Sequence, residues 1–163
     1  MLQNIFEEID FIIYNNYNIN NIFDEIIKIF SQFEPDYINE LVEDYIDNNY
    51  NKLEKMTFDY GIIHPFYKFI LYRSRYVDIF TIKWTKNSTH KFNIGNKQNY
   101  IMFTINDGKL HQHLFKKSNI FNKYIHKMSD RFYLGEYIVV EKNCIHRVKA
   151  EEYTETLHVV IYM

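Results

Sequence analysis

Apolar positions along this chain change period once. In residues 2 to 48 they recur every three or four places: Ile5, Ile9, Ile12 and Ile13, then Ile19, Ile22, Phe23, Ile26, Ile27 and Phe30, then Ile38, Leu41, Val42, Tyr45 and Ile46. That spacing lines one face of an α-helix, so three helices are predicted. Pro35 suits the first turn of the third, where its missing N–H costs nothing, and Asp36 and Glu40 lie towards the end that favours negative charge. Asn48-Asn49-Tyr50-Asn51 ends it. From Phe66 the period falls to two, through Phe69-Ile70-Leu71-Tyr72-Arg73, Val77 to Trp84 and Tyr100 to Ile105, which predicts strands. Asn106-Asp107-Gly108 reads as a hairpin turn, because these residues tolerate positive φ, with Lys109 to Phe115 as the returning strand. Residues 116 to 130 read as polar and irregular. Arg131 to Leu134, Tyr137 to Val140, Cys144 to Lys149 and Thr154 to Tyr162 bring the expected total to eight or nine strands. No helix-length segment separates them, so parallel crossovers are not expected. The prediction is an α+β chain, mainly β: N-terminal helices (1–48) packed on a small antiparallel jelly-roll barrel (66–163), forming one domain over 1–163.

Composition narrows the class. A chain of 163 residues buries about two-thirds of its unfolded surface, so no metal or disulfide is needed to hold it together. Any metal would serve function. The net charge is -2 and the lysines are scattered without a basic run, so no nucleic-acid partner is expected. Cys144 is the only cysteine, which suits a reducing compartment. The first residues carry Glu7, Glu8 and Asp10, unlike a signal peptide, and charged or amide residues interrupt every apolar run. A cytoplasmic protein without a membrane span is the expectation. Aromatic residues make up 18% of the chain, enough to supply the Tyr and Phe that protein interfaces use, so a protein partner or self-assembly stays open.

Candidate chemistry centres on His146. Gly135-Glu136 begins eleven positions ahead of it, which fits the spacing Gly-(Asp/Glu)-x4-Pro-x-Gly-x2-His without a gap. Glu141 stands at the proline and Asn143 at the turn glycine, and Asn enters the left-handed region more readily than most residues. This spacing resembles the second motif of cupin barrels, whose histidine is a metal ligand; the alternative is a histidine kept for packing. Cys144 should share the face of His146, as a thiol ligand or simply a small buried residue. His111 and His113 point to one face of a strand and could pair on a metal or stand as surface histidines.

Further stretches resemble the cysteine dioxygenases in order along the chain: Tyr72-Arg73-Ser74, Ile79 to Trp84, Asp107-Gly108-Lys109-Leu110 with Leu114-Phe115, Ile145-His146-Arg147-Val148, and Thr154-Glu155-Thr156-Leu157-His158. In that family a ferrous iron held by three histidines binds cysteine thiolate and dioxygen and yields cysteine sulfinate. The resemblance implies His146 as the third iron ligand, Arg73 as a clamp on a substrate carboxylate, and His158 with the Thr156 hydroxyl beside the site. The family's tyrosine falls at Val160, with Tyr162 two residues on and on the same face. The family's His-x-His pair falls at Asn93 and Gly95; His90 is the nearby histidine, and using it leaves Phe92 as the second position. Two readings follow. One is a cupin degenerate at the iron site, metal-free, acting as a binding or structural protein. The other is an active thiol dioxygenase holding Fe(II) in a rearranged site with His146 and His90 as ligands and a small thiol or amino acid as substrate.

Overall fold

The computed structural model describes residues 1–58, 65–118, 120 and 123–163. The three expected helices form as α1 (Leu2–Asn15), α2 (Ile19–Ser31) and α3 (Pro35–Asn49). Their periodic faces are buried: Phe6, Ile9, Ile22, Ile26, Val42 and Ile46 are each at most 3% exposed. Asn18 caps α2 by accepting a hydrogen bond from the Asn20 N–H at 3.0 Å, and Pro35 opens α3.

Ten strands follow among the described residues: β1 (Lys55–Phe58), β2 (Phe66–Arg73), β3 (Val77–Trp84), β4 (Thr89–Ile94), β5 (Gln98–Thr104), β6 (Leu110–Lys117), β7 (Tyr124–Phe132), β8 (Tyr137–Val140), β9 (Cys144–Ala150) and β10 (Thr154–Tyr162). They pair into two antiparallel sheets, β1-β2-β3-β10-β5-β8 and β4-β9-β6-β7. From β3 to β10 successive strands alternate between the sheets in the manner of a jelly roll, except that β6 and β7 form a hairpin within the four-stranded sheet. The expected barrel is corrected in one respect. No ladder joins one sheet to the other among the described residues, so the β part is an open two-sheet sandwich.

The expected hairpin at Asn106-Asp107-Gly108 is also corrected. β5 pairs with β10 and β8, while β6 pairs with β9 and β7, so the segment carries the chain from one sheet to the other. Its turn residues serve that crossing. The Asn106 side chain accepts the Glu155 N–H at 2.7 Å, and Gly108 lies so close to β10 that a Cβ there would run into the Thr154 side chain and the Tyr153 carbonyl. Most of β7 lies in the segment read as irregular. It is a sheet edge exposed along most of its length, so no apolar alternation marks it.

The sandwich has three layers. The helices cover the outer face of the six-stranded sheet, where Val77, Ile79, Ile101, Leu157, Val159 and Ile161 join the helix core. The opposite phase of the same strands, with Phe80, Ile82, Trp84, Tyr100 and Met102, faces the second sheet. β3 and β10 are therefore buried on both sides. Asn143 adopts φ 63 in the turn before β9, the conformation that makes Asn workable where the cupin motif has glycine.

Candidate functional site

The inner phase of β9 carries Cys144, His146, Val148 and Ala150, all buried. His146 is 0% exposed, and both its ring nitrogens have partners. The Tyr100 hydroxyl of β5 meets Nδ1, and the Gln112 carbonyl oxygen of β6 meets Nε2. With the Gln112 oxygen facing it, Nε2–H donates to Gln112 and Tyr100 donates to Nδ1, while the buried Gln112 amide nitrogen has no partner among the described residues. That is a neutral imidazole, and burial pulls its pKa down to about 3.

A second chain of hydrogen bonds runs beside it. The Trp84 indole N–H donates to the Thr156 hydroxyl at 2.8 Å, and Thr156 Oγ1 lies 2.7 Å from His158 Nε2. The Thr156 hydroxyl thus links the indole to His158, accepting from the one and sharing a hydrogen bond with Nε2 of the other. His158 Nδ1 is wholly buried and has no hydrogen-bond partner among the described residues. Burial drives the His158 pKa well below the usual value, so this ring is also neutral. It stacks on Phe80 at 4.7 Å between ring centres.

His90 sits on the inner phase of β4 against Phe66, with ring centres 5.2 Å apart. Burial, then the Lys68 ammonium, lowers its pKa to about 4. What lies amid His90, His158 and His146 is a phenyl ring. Phe92 has its ring centre 4.5 Å from that of His90, 5.4 Å from His158 and 6.0 Å from His146. Three imidazoles around a hydrocarbon ring share no coordination point. Among the described residues no three His, Cys, Asp or Glu side chains stand where they could hold a metal ion. The donor set does not fit iron held by three imidazoles, since the one free lone pair of neutral His146 already accepts the Tyr100 proton.

Arg73 and Tyr162 come together through Asp78. Arg73 Nε lies 3.0 Å from Asp78 Oδ1, and the Tyr162 hydroxyl donates to Asp78 Oδ2 at 2.7 Å. Arg73 also pairs with Glu54 at 3.0 Å and is half-exposed at the end of β2. Burial, then the Asp78 hydrogen bond, pushes the Tyr162 phenol up to about 12. Both Asp78 and Tyr162 line a pocket of about 400 Å³ at the mouth of the sandwich, together with Lys68, Phe80, His90 and Phe92. The Lys68 ammonium lies 4.0 Å over the Phe80 ring, and burial holds its pKa below the usual lysine range. It forms no ion pair among the described residues.

Thr156 and His158 thus meet as a pair, and Arg73 and Tyr162 as another, while His146 and His90 are separated by Phe92. Sequence reasoning missed Lys68, Asp78 and Gln112. Their signal was a polar side chain on the apolar phase of a strand: Lys68 between Phe66 and Ile70, Gln112 between Leu110 and Leu114. Cys144 is buried, with its thiol 3.8 Å from the Lys142 carbonyl. His111 and His113 lie on the outer face of the four-stranded sheet, half-exposed.

No protein-family model matches the sequence, and no curated protein matches it. Solved structures do resemble the fold. An RmlC-like cupin from Shewanella frigidimarina is 9% identical, with a TM-score of 0.50 over 69% of this chain and 86% of that one. A predicted oxalate decarboxylase from Thermotoga maritima is 11% identical, with a TM-score of 0.50 over 69% and 96%. HEPD from Streptomyces albus, solved with 2-hydroxyethylphosphonate and Fe(II) bound, is 12% identical, with a TM-score of 0.52 over 69% of this chain and 24% of that one. At these identities the likeness shows the fold, and the fold is that of cupins. No helix among the described residues is long and apolar enough to cross a membrane.

Proposed function

We propose that this chain is a cupin-fold binding protein related to the cysteine dioxygenases that has given up iron, and that it holds a small carboxylate-bearing molecule, of the amino-acid or thiol-acid class, without turning it over. The observation that carries this reading is His146, whose two nitrogens are committed to Tyr100 and Gln112 with Phe92 filling the space towards the other imidazoles. The pocket supports the binding half. It offers aromatic walls and one half-buried ammonium without a carboxylate partner among the described residues, the usual composition of a small-molecule site. Lys68 meets the ligand carboxylate, and the apolar body lies along Phe80 and Phe92. The competing thiol dioxygenase, with Fe(II) on His146 and His90, needs Phe92 to leave its place and Tyr100 to release His146.

Untagged protein, dialysed after purification, tests both halves. The expected result is no stoichiometric iron, no cysteine sulfinate from cysteine and oxygen, and saturable binding of a small carboxylate from a calorimetric panel. Lys68→Met should weaken that binding at least tenfold while leaving the thermal midpoint in place. One iron per chain, lost in His146→Ala, would contradict the reading.

A further inference from the structure

The 19 basic residues are scattered in sequence, but the sheet register gathers several of them. Across the four-stranded sheet one row of partners runs Thr89, Lys149, His111, Arg131, and the next runs Lys91, Arg147, His113, Ser129. A third runs Asn93, Ile145, Phe115, His126. These rows form the outer phase of the sheet, since the intervening positions His90, Val148, Gln112, His146 and Leu114 point between the sheets. Four cations and three imidazoles share this face, and no Asp or Glu stands in any of the three rows. Arg131 pairs with Glu151 at 3.2 Å. Lys91, Arg147 and Lys149 are exposed and form no ion pair among the described residues.

The other side of the molecule is its electrical opposite. Residues 1 to 50 hold eleven acidic residues and one basic residue, Lys28, and the helices they build cover the far face of the six-stranded sheet. The overall charge of -2 is thus the remainder of about -10 on the helical layer and about +8 elsewhere. Charges beyond a Debye length of about 8 Å are screened at physiological salt, so a partner at the four-stranded sheet meets the positive face alone.

We propose that this face binds single-stranded nucleic acid. Lys91 and Arg147 lie at the strand spacing of about 4.8 Å and Arg147 and Lys149 two residues apart along β9, about 6.7 Å, with Arg131 beyond His111, which is an array for successive phosphates rather than one anion. Flat rings are interleaved with them. His111 and His113 have ring centres 4.7 Å apart, and Phe115 and His126 5.2 Å, giving exposed bases surfaces on which to stack. A sheet face has no projecting helix to enter a duplex groove, and the apolar members of these rows, Ile145 and Phe115, are half-buried in the sheet instead of standing out as a bilayer anchor would. The expectation of no nucleic-acid partner rested on the absence of a basic run, and strand pairing builds in space the cluster that the sequence lacks.

Fluorescence anisotropy of a short labelled oligouridylate against the full chain tests this. Saturable binding is expected, weakening between about 50 and 200 mM salt with a log–log slope of about -2 to -3, as for three or four phosphate contacts on a single strand. Lys91→Glu, Arg147→Glu and Lys149→Glu together should weaken it at least tenfold. A charge-matched control, Lys28→Glu, Lys52→Glu and Lys55→Glu, should leave it within twofold, with circular dichroism showing both variants folded. Binding that is absent or salt-insensitive, an equal loss in the control, or binding to phosphatidylserine vesicles without binding to the oligonucleotide would each overturn the proposal.

Discussion

His146 was expected as a cupin ligand from its spacing after Gly135-Glu136, yet Tyr100, Gln112 and Phe92 give it the surroundings of a core residue. Such a histidine ties stability to pH, and the sign follows from its proton. In the unfolded chain an imidazole takes up its proton near pH 6.5. In the folded chain burial holds His90 to about 4 and His146 to about 3. Below pH 6.5 the unfolded state therefore binds more protons, and stability present above that pH is lost as pH falls towards the folded values. Each such imidazole contributes about 1.4 kcal/mol per pH unit to the slope. Urea unfolding between pH 6.5 and 4.5 should show the midpoint falling with pH. His146→Gln, neutral throughout this range, should flatten the fall by one imidazole's share. An unchanged slope in that variant would mean that His146 is accessible to protons.

At the scale of elements, the turn glycines divide by what they touch. A Cβ at Gly108 meets the Thr154 side chain and the Tyr153 backbone, whereas at Gly95 the nearest atom is the end of the Gln98 side chain at 3.5 Å. Gly108→Ala should cost about 2 kcal/mol in chemical denaturation, and Gly95→Ala well under 1. Equal effects would place the crossing segment away from β10. The bounds of β3, β8 and β10 were legible in the sequence because runs rich in β-branched and aromatic residues end there in polar turns. β4 was not, since its inner phase begins with His90 and its outer phase is wholly polar. β7 was not, because an exposed edge needs no apolar phase. The sheet crossing at Asn106-Asp107-Gly108 has the residues of a hairpin, and only pairing distant in sequence separates the two. The site was half legible: motif spacing led to His146, and the resemblance to the cysteine dioxygenases to Thr156 and His158. Lys68 and Gln112 carried a local signal as polar residues on an apolar phase, but that Tyr100 and Gln112 close on His146 depends on strand pairing distant in sequence.

Across the whole molecule, the six-stranded sheet has an apolar face on each side, and only one of them is covered by the other sheet. The helices bury Val77, Ile79, Ile101, Leu157, Val159 and Ile161 on the second. Removing residues 1 to 50 would expose that face as a contiguous patch, far beyond the scattered apolar residues that a monomer's surface tolerates. The shortened chain is expected to be insoluble, or to bind a hydrophobic dye and sediment as aggregates. A soluble, monomeric 51–163 fragment with native circular dichroism would show that the helical layer is dispensable. The same layer carries most of the negative charge, so the molecule is polar from face to face while nearly neutral overall.

On the proposed reading Tyr100, Gln112 and Phe92 close His146 to metal. Imidazole nitrogen NMR on protein labelled at histidine reads this directly. His146 is expected to show one neutral tautomer, protonated on Nε2 with Nδ1 accepting a hydrogen bond, unchanged from pH 7 to about 5 and unmoved by a stoichiometric addition of Zn(II) as a diamagnetic stand-in for Fe(II). A shift of either His146 nitrogen on adding metal, lost on chelation, would contradict it.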